Sequence, residues 1–144
     1  MKTHWKPIPY IALAAAVILI AGYLFLPRPI VTDIGGSQVI GVLHNQYFNE
    51  TDGPQELIPV ADYDEAAILD CLSRYSAQRT PGKVTTGTWL GHTELVILLD
   101  TGDRSKIIYL GNRNYHFGSY GETKYLVREG DLLRAELLTH VTLE

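Results

Sequence analysis

The chain has 144 residues, of which 46% are apolar and 19% are charged, and this composition excludes an intrinsically disordered chain. A single cysteine excludes a disulfide scaffold and a cysteine-rich zinc module. The formal net charge of −4 argues against a dedicated nucleic-acid binder. The sequence therefore predicts one small globular domain with an unusual segment at its N-terminus.

The N-terminal segment is an uncharged apolar run. Between Lys6 and Arg28 lie 21 residues without a charged side chain, and as a helix they would extend about 31 Å. The hydrocarbon core of a bilayer is about 30 Å thick, so a helix of this length can cross it. The sequence predicts a cytoplasmic N-terminus over residues 1–7, a transmembrane helix over 8–27, a linker over 28–36 and an α+β domain over 37–144.

The charges on the two sides of this run predict its orientation. Lys2 and Lys6 precede it, whereas residues 29–144 hold all 16 acidic residues and 9 of the 12 Lys and Arg residues. The positive-inside rule then predicts a plasma-membrane protein with a cytoplasmic N-terminus and an extracytoplasmic C-terminal domain. A cleaved signal peptide is the alternative, because it also combines a basic start with an apolar run.

Strand patterns follow in the rest of the chain. The first two apolar, β-branched segments are predicted to pair as a hairpin, and the last three are predicted to form a meander. The segment 93–100 is nearly all apolar, which is typical of a central strand. The polar, aromatic-rich stretch 112–121 is predicted to be a connection. The predicted strands are residues 37–44, 55–60, 93–100, 106–110 and 122–128.

Two helices complete the predicted domain. The first begins at Asp62, which has the spacing of a capping box with Glu65, and ends before Thr80. Residues 131–143 are compatible with a helix capped by Asp131 and with a strand, and residue preferences favour the helix. The prediction is an α+β fold in the order β-β-α-β-β-β-α, an antiparallel sheet with one or two helices packed on it. The apolar face of the first helix comprises Ile68, Cys71, Leu72 and Tyr75.

A resemblance rests on the same succession of elements. The mid-chain helix, a strand that ends in a turn, Ile-Ile-Tyr-Leu (107–110), Lys-Tyr-Leu-Val (124–127) and the final Gly-Asp-Leu-Leu segment (130–133) are similar to small membrane-anchored extracytoplasmic domains of Gram-positive bacteria. The resemblance covers residues 62–141. Those families are mostly of unknown function, so the resemblance implies a bacterial location and a fold but no catalytic residues.

One motif has both a catalytic and a structural interpretation. Asp100-Thr-Gly follows a hydrophobic strand and resembles the active-site motif of aspartic proteases, whose retroviral-type members supply one Asp from each half of a homodimer. The same residues are typical of a hairpin turn, because Asp and Gly are favoured there. We favour the turn. An aspartic-type hydrolase that uses Asp100 is the alternative.

The predicted binding surface is aromatic. Large rings with polar tips among Asn, Gly and Arg are typical of binding surfaces, although the stretch after residue 112 also suits a β-connection that packs its rings on the sheet. Trp89 lies in a Gly-rich stretch that is expected to form a second exposed loop. The predicted binding residues are Trp89, Arg113, Tyr115, His116, Phe117 and Tyr120.

The predicted function is a non-enzymatic, membrane-anchored extracytoplasmic binding or accessory domain. An inhibitor or immunity-like protein is a further alternative. No cofactor or metal is expected, because the five histidines lack the spacing of zinc ligands, and these histidines are expected at the solvent or at strand edges. The expected partners are the membrane, through residues 8–27, and another membrane or extracellular protein, but no nucleic acid.

Overall fold

The computed structural model describes residues 8–50, 56–83, 93–119 and 121–143, and these residues form three helices and ten strands. The helices are α1 (Ile8–Leu24), α2 (Glu65–Arg74) and α3 (Gly130–Leu138). The strands are β1 (Arg28–Pro29), β2 (Gln38–His44), β3 (Ile58–Pro59), β4 (Asp62–Tyr63), β5 (Ser76–Lys83), β6 (Thr93–Asp100), β7 (Ser105–Gly111), β8 (Tyr115–Phe117), β9 (Thr123–Val127) and β10 (Val141–Thr142).

The fold is α+β and is built around one curled antiparallel sheet. Eight strands form this sheet in the order β1-β5-β9-β8-β7-β6-β2-β3, and β10 pairs with β4 beside it. β6 lies between β7 and β2, and most of its side chains are buried. The apolar pattern that predicts a central strand at residues 93–100 is therefore confirmed. The predicted pairing of the first two strand segments is also confirmed, although β3 is only two residues long.

The hydrophobic core lies between one face of this sheet and the helices α2 and α3. Side chains at alternate positions of a strand point to the same face, so Ile97 and Leu99 of β6 both enter the core. Ile68, Cys71 and Leu72 fill it from α2, which confirms the predicted apolar face of that helix and the burial of the cysteine.

Both ends of α2 differ from the predicted ones. The N-cap is Asp64, whose Oδ1 accepts a hydrogen bond from the N–H of Ala67 at 3.0 Å. Asp62 lies in β4, and Glu65 Oε1 accepts from the N–H of Val39 at 3.2 Å, so the predicted capping box is wrong. The helix ends at Arg74 because the chain that follows pairs with β1 and β9 as strand β5. Pairing with distant strands overrides the local helix preference here.

The segment predicted as a linker over 28–36 belongs to the domain. Arg28 and Pro29 pair with β5, and the N–H of Ile30 donates to the carbonyl of Tyr75 at 3.1 Å. Ile30 and Val31 are each 1% exposed and are part of the core. α1 is therefore joined to the sheet by only three residues that lie outside any helix or strand, 25–27.

The C-terminal segment forms mainly the helix that its residue preferences favour. α3 starts after Glu129 rather than Asp131, and the side chain of Glu129 makes no capping hydrogen bond. Val141, which lies within the predicted helix 131–143, instead pairs with Tyr63 in the small sheet. The prediction of a helix is thus confirmed for residues 130–138, and the alternative of a strand applies only to 141–142.

α1 differs from the other helices in having no buried residue. It is 17 residues long, or about 26 Å, and apolar side chains such as Ile18 and Leu19 are exposed on it. No helix in the described parts of the chain combines the length and the apolar character needed to cross a membrane.

Candidate functional site

Asp100 lies at the end of β6, where the chain turns into β7. Its Oδ1 accepts a hydrogen bond from the N–H of Gly102 at 2.8 Å, and Gly102 has a φ of 90°. The N–H of Thr101 donates to the carbonyl of Arg104 at 3.0 Å and closes the turn. The structural interpretation of the Asp-Thr-Gly motif as a hairpin turn is confirmed, since a side-chain acceptor and a glycine with positive φ are what such a turn requires.

The structure places the residues of the predicted aromatic binding surface differently from the prediction. Trp89 and Tyr120 lie outside the described residues, and Arg113 is exposed in the turn after β7. Tyr115, His116 and Phe117 form strand β8, and they are only 3%, 5% and 2% exposed. The prediction that these three rings form an exposed surface is wrong, because β8 is an interior strand between β7 and β9.

The three rings of β8 point to opposite faces of the sheet. Tyr115 and Phe117 stack on Tyr109 of β7, with ring centroids 5.5 and 5.3 Å apart, in a small apolar cluster separate from the main core. His116 points to the face that holds the core, opposite Ile108 of β7. The alternation along β8 therefore separates the histidine from its aromatic neighbours.

His116 begins a polar row on the core face. It lies opposite Tyr125 of β9, and Tyr125 lies opposite Arg79 of β5. The imidazole and the Tyr125 ring stack with centroids 4.8 Å apart and an angle of 7° between their planes. Ala77 and Val127 lie two residues away on the same two strands, and both are core residues. On this face of the sheet, an apolar residue pair is therefore followed directly by a pair of one basic and one aromatic residue.

A cavity of about 250 Å³ opens over this polar row, and we call it the basic cavity. Its four cationic lining residues come from β1, β5, the β6–β7 turn and β7, and no acidic residue is among its described lining residues. Tyr23 and Leu24 at the end of α1, together with Leu26 after it, form its apolar wall. The cationic residues are Arg28, Arg79, Arg104 and Lys106.

None of these four cations forms an ion pair with a carboxylate that the structure describes. Within the described ranges, the ion pairs of basic side chains involve Arg74, Arg134 and His44 but none of the cations of the basic cavity. Lys106 Nζ donates to the carbonyl of Ile30 at 3.0 Å. Burial and the neighbouring Arg104 lower the pKa of Lys106, and the carboxylate of Asp103 acts in the opposite direction. The arrangement brings four cations to one cavity in a chain that is negative overall, while Asp103 and Glu122 line a neighbouring cavity that also includes Arg79 and Arg104.

His116 is one of the residues that line the basic cavity, and one of its ring nitrogens is unsatisfied. Nδ1 is buried and has no hydrogen-bond partner among the residues that the structure describes. Burial, and to a lesser degree the charge of Lys106, lowers the pKa of His116 to about 3. The imidazole is therefore neutral near pH 7, with one ring nitrogen able to donate and the other able to accept a hydrogen bond. An unpaired buried polar atom costs free energy, so it marks a site where a ligand atom is a suitable partner.

Sequence reasoning did not identify this cavity. Arg28, Arg79 and Lys106 are separated by tens of residues, and no local motif contains two of them with His116. The alternating pattern of β9 and β7 could have indicated the cavity. Tyr125 and Lys106 stand at even spacing from core residues of their strands, so they face the same side of the sheet as the core. The expected placement of the histidines at the solvent or at strand edges is wrong for His116.

Comparisons with known proteins add no relative. No protein-family model matches the chain, and no curated protein or solved structure matches it. The resemblance to membrane-anchored domains of Gram-positive bacteria stays a prediction. The argument about function therefore depends on the geometry of the basic cavity and on the properties of α1.

Proposed function

We propose that this chain is a membrane-anchored, non-enzymatic binding domain that takes an anionic group into the basic cavity. The observation that carries the proposal is that four cations line one cavity with His116, and none of them forms an ion pair in the described part of the chain. Like charges held together repel one another, and an anion relieves this repulsion while it accepts charge-assisted hydrogen bonds. Asp100, the residue with a catalytic alternative, accepts a hydrogen bond from Gly102 within the β6–β7 turn.

The proposed anchor is α1 with the residues that follow it. Its 17 residues are at the lower end of the range that spans a bilayer, and the uncharged run continues through Phe25 and Leu26 to Pro27. An exposed helix that is apolar on all sides is stable only when something apolar surrounds it. A lipid bilayer supplies that surrounding, and the exported location of residues 29–144 follows from the charge distribution.

The proposed topology predicts accessibility of the domain from outside the cell. When a protease is added to intact cells that express the chain with a C-terminal epitope tag, we expect the tag to be lost because the domain is extracytoplasmic. A tagged cytoplasmic protein in the same cells should remain intact until lysis. If the tag on this chain also survives until the cells are lysed, the proposed orientation is wrong.

Anion binding predicts a stabilisation that depends on the cavity cations. The full chain in non-ionic detergent is heated in phosphate and in chloride at equal ionic strength. Phosphate at ten times its Kd should stabilise the folded chain by about 1.4 kcal/mol, which raises Tm. In Arg79→Gln/Lys106→Gln we expect this rise in Tm to disappear.

The matched control is Arg113→Gln/Arg128→Gln, which removes the same amount of charge from two exposed side chains outside the basic cavity. This variant should keep the rise in Tm. If phosphate does not stabilise the parent, or stabilises both double variants equally, anion binding in the basic cavity is refuted.

A further inference from the structure

The basic cavity combines two chemically different sides. The cationic side belongs to the sheet, and the apolar side belongs to the last turn of α1 and the residue Leu26. Arg28 connects them: its guanidinium lies 4.4 Å from the centre of the Tyr23 ring and donates to the Tyr23 carbonyl at 3.1 Å. A small inorganic anion would use only the cationic side. A ligand that matches the whole cavity carries a negative charge beside an apolar part.

We infer that the basic cavity binds the headgroup of an anionic phospholipid from the membrane that holds α1. The inference rests on the proposed function and specifies its ligand. The phosphate group would lie among Arg79, Lys106 and His116, and the start of the acyl chains would lie along Leu24 and Leu26. The domain would then be oriented against the membrane surface by a lipid as well as by its anchor.

The position of the cavity along the chain favours a lipid. Tyr23, near the end of the uncharged run, is of the residue type found at the level of the headgroups in membrane proteins. β1 follows α1 after only three residues, so the sheet edge with Arg28 lies next to the same level. Cations next to a membrane surface attract anionic lipids, and a cationic side chain fixed in a cavity adds hydrogen bonds to that attraction.

The chemistry of the lining favours a phosphate. The guanidinium of Arg79 matches two phosphate oxygens, and the Lys106 ammonium adds a compact charge. The neutral imidazole of His116 lines the cavity, and its unpaired Nδ1 would donate a hydrogen bond to a phosphate oxygen when that nitrogen carries the proton. The volume of about 250 Å³ is below the range of pockets that enclose whole drug-sized molecules, and it suits a headgroup whose chains remain in the bilayer.

The test measures lipid binding to the full chain in non-ionic detergent by native mass spectrometry. The probes are dioctanoyl phosphatidylglycerol, dioctanoyl phosphatidylcholine with the same chains but no net charge, and glycerol phosphate with the charge but no chains. We expect one phosphatidylglycerol to bind at least tenfold more tightly than either other probe. Arg79→Gln/Lys106→Gln should weaken its binding about 30-fold, on the basis of two lost charges.

Two further variants test whether the lipid binds in the basic cavity. His116→Phe keeps the charge of the cavity and should weaken phosphatidylglycerol binding about tenfold through the lost hydrogen bond to a charged group. Arg113→Gln/Arg128→Gln should bind the lipid as the parent does. Thermal unfolding of each variant without lipid verifies that it is folded.

The outcomes separate this inference from the proposed function. If glycerol phosphate binds as tightly as phosphatidylglycerol and depends on Arg79 and Lys106, the lipid inference is overturned while anion binding in the basic cavity stands. Equal binding of both lipids, or phosphatidylglycerol binding that is unchanged in the cavity variants, also overturns it. Binding of none of the probes overturns the inference, and it overturns the proposed function as well if phosphate does not stabilise the parent.

Discussion

Replacement of His116 by Phe is expected to remove an acid-dependent loss of stability. Burial holds the pKa of His116 at about 3 in the folded chain, below the value of about 6.5 expected after unfolding. Between these two values the unfolded chain binds a proton that the folded chain does not bind. The free energy of unfolding therefore falls as the pH is lowered from about 6.5 to about 3, by about 1.4 kcal/mol per pH unit.

The measurement is urea unfolding of the full chain in detergent at pH 7.5 and pH 4.5, in buffers without phosphate. Over this interval the parent should lose about 2–3 kcal/mol more than His116→Phe. At pH 7.5 the variant should be more stable by about 1–3 kcal/mol, because it no longer buries an unpaired nitrogen. A stabilising substitution that weakens ligand binding is the signature of a residue kept for function.

The control for this prediction is His140→Phe, at a partly exposed imidazole outside the basic cavity. The decrease in stability that His140→Phe shows over the same interval is the reference for the loss of an imidazole elsewhere in the fold. If His116→Phe shows the same decrease between pH 7.5 and pH 4.5 as the parent, then His116 is not the group whose protonation opposes folding, and its neutral state in the cavity is wrong.

Gly130→Ala is expected to destabilise the domain by about 1–3 kcal/mol. Gly130 is buried at the start of α3, and a Cβ built on it would overlap the side chain of Asn114. Asn114 has little freedom to move, because its Oδ1 accepts from the N–H of Gly111 at 3.0 Å and its carbonyl accepts from the N–H of Val127 at 2.9 Å. The overlap therefore has to be relieved by a shift of α3 away from the sheet.

The matched control is Gly82→Ala, since a Cβ at Gly82 meets nothing within 4 Å. Its effect on the free energy of unfolding should stay within about 0.5 kcal/mol, as for other exposed positions. Urea unfolding of both variants provides the comparison. A loss of stability at Gly130 no larger than that at Gly82 would contradict the close packing of α3 against the turn that contains Asn114.

Local patterns in the sequence were sufficient for features that depend on neighbouring residues. The apolar run of β6, the buried face of α2 and the hairpin turn at Asp100 were predicted and are confirmed. In each case a short segment contains the whole signal: a continuous apolar stretch, a helical spacing, or an Asp followed by a glycine. The topology of the apolar N-terminal run stays a prediction from charge and length.

Contacts between distant segments of the chain decided the features that local patterns did not predict. Asp62 and Asp131 both have the chemistry of helix caps, yet strand pairing places the first in β4, and α3 begins before the second. The stretch that contains Tyr115 and Phe117 has the composition of an exposed loop, but hydrogen bonds to β7 and β9 make it an interior strand. No local pattern specifies which strands lie beside it.

The sequence by itself determined that this chain has an apolar, uncharged N-terminal run, one α+β domain and an excess of acidic residues after the run. Only the tertiary structure decided that Arg28, Arg79, Arg104 and Lys106 line one cavity with His116. The physical reason is the register of the sheet: pairing of β5, β9, β8 and β7 aligns positions tens of residues apart on one face. Charge that is dispersed along the sequence becomes concentrated at one cavity through those backbone hydrogen bonds.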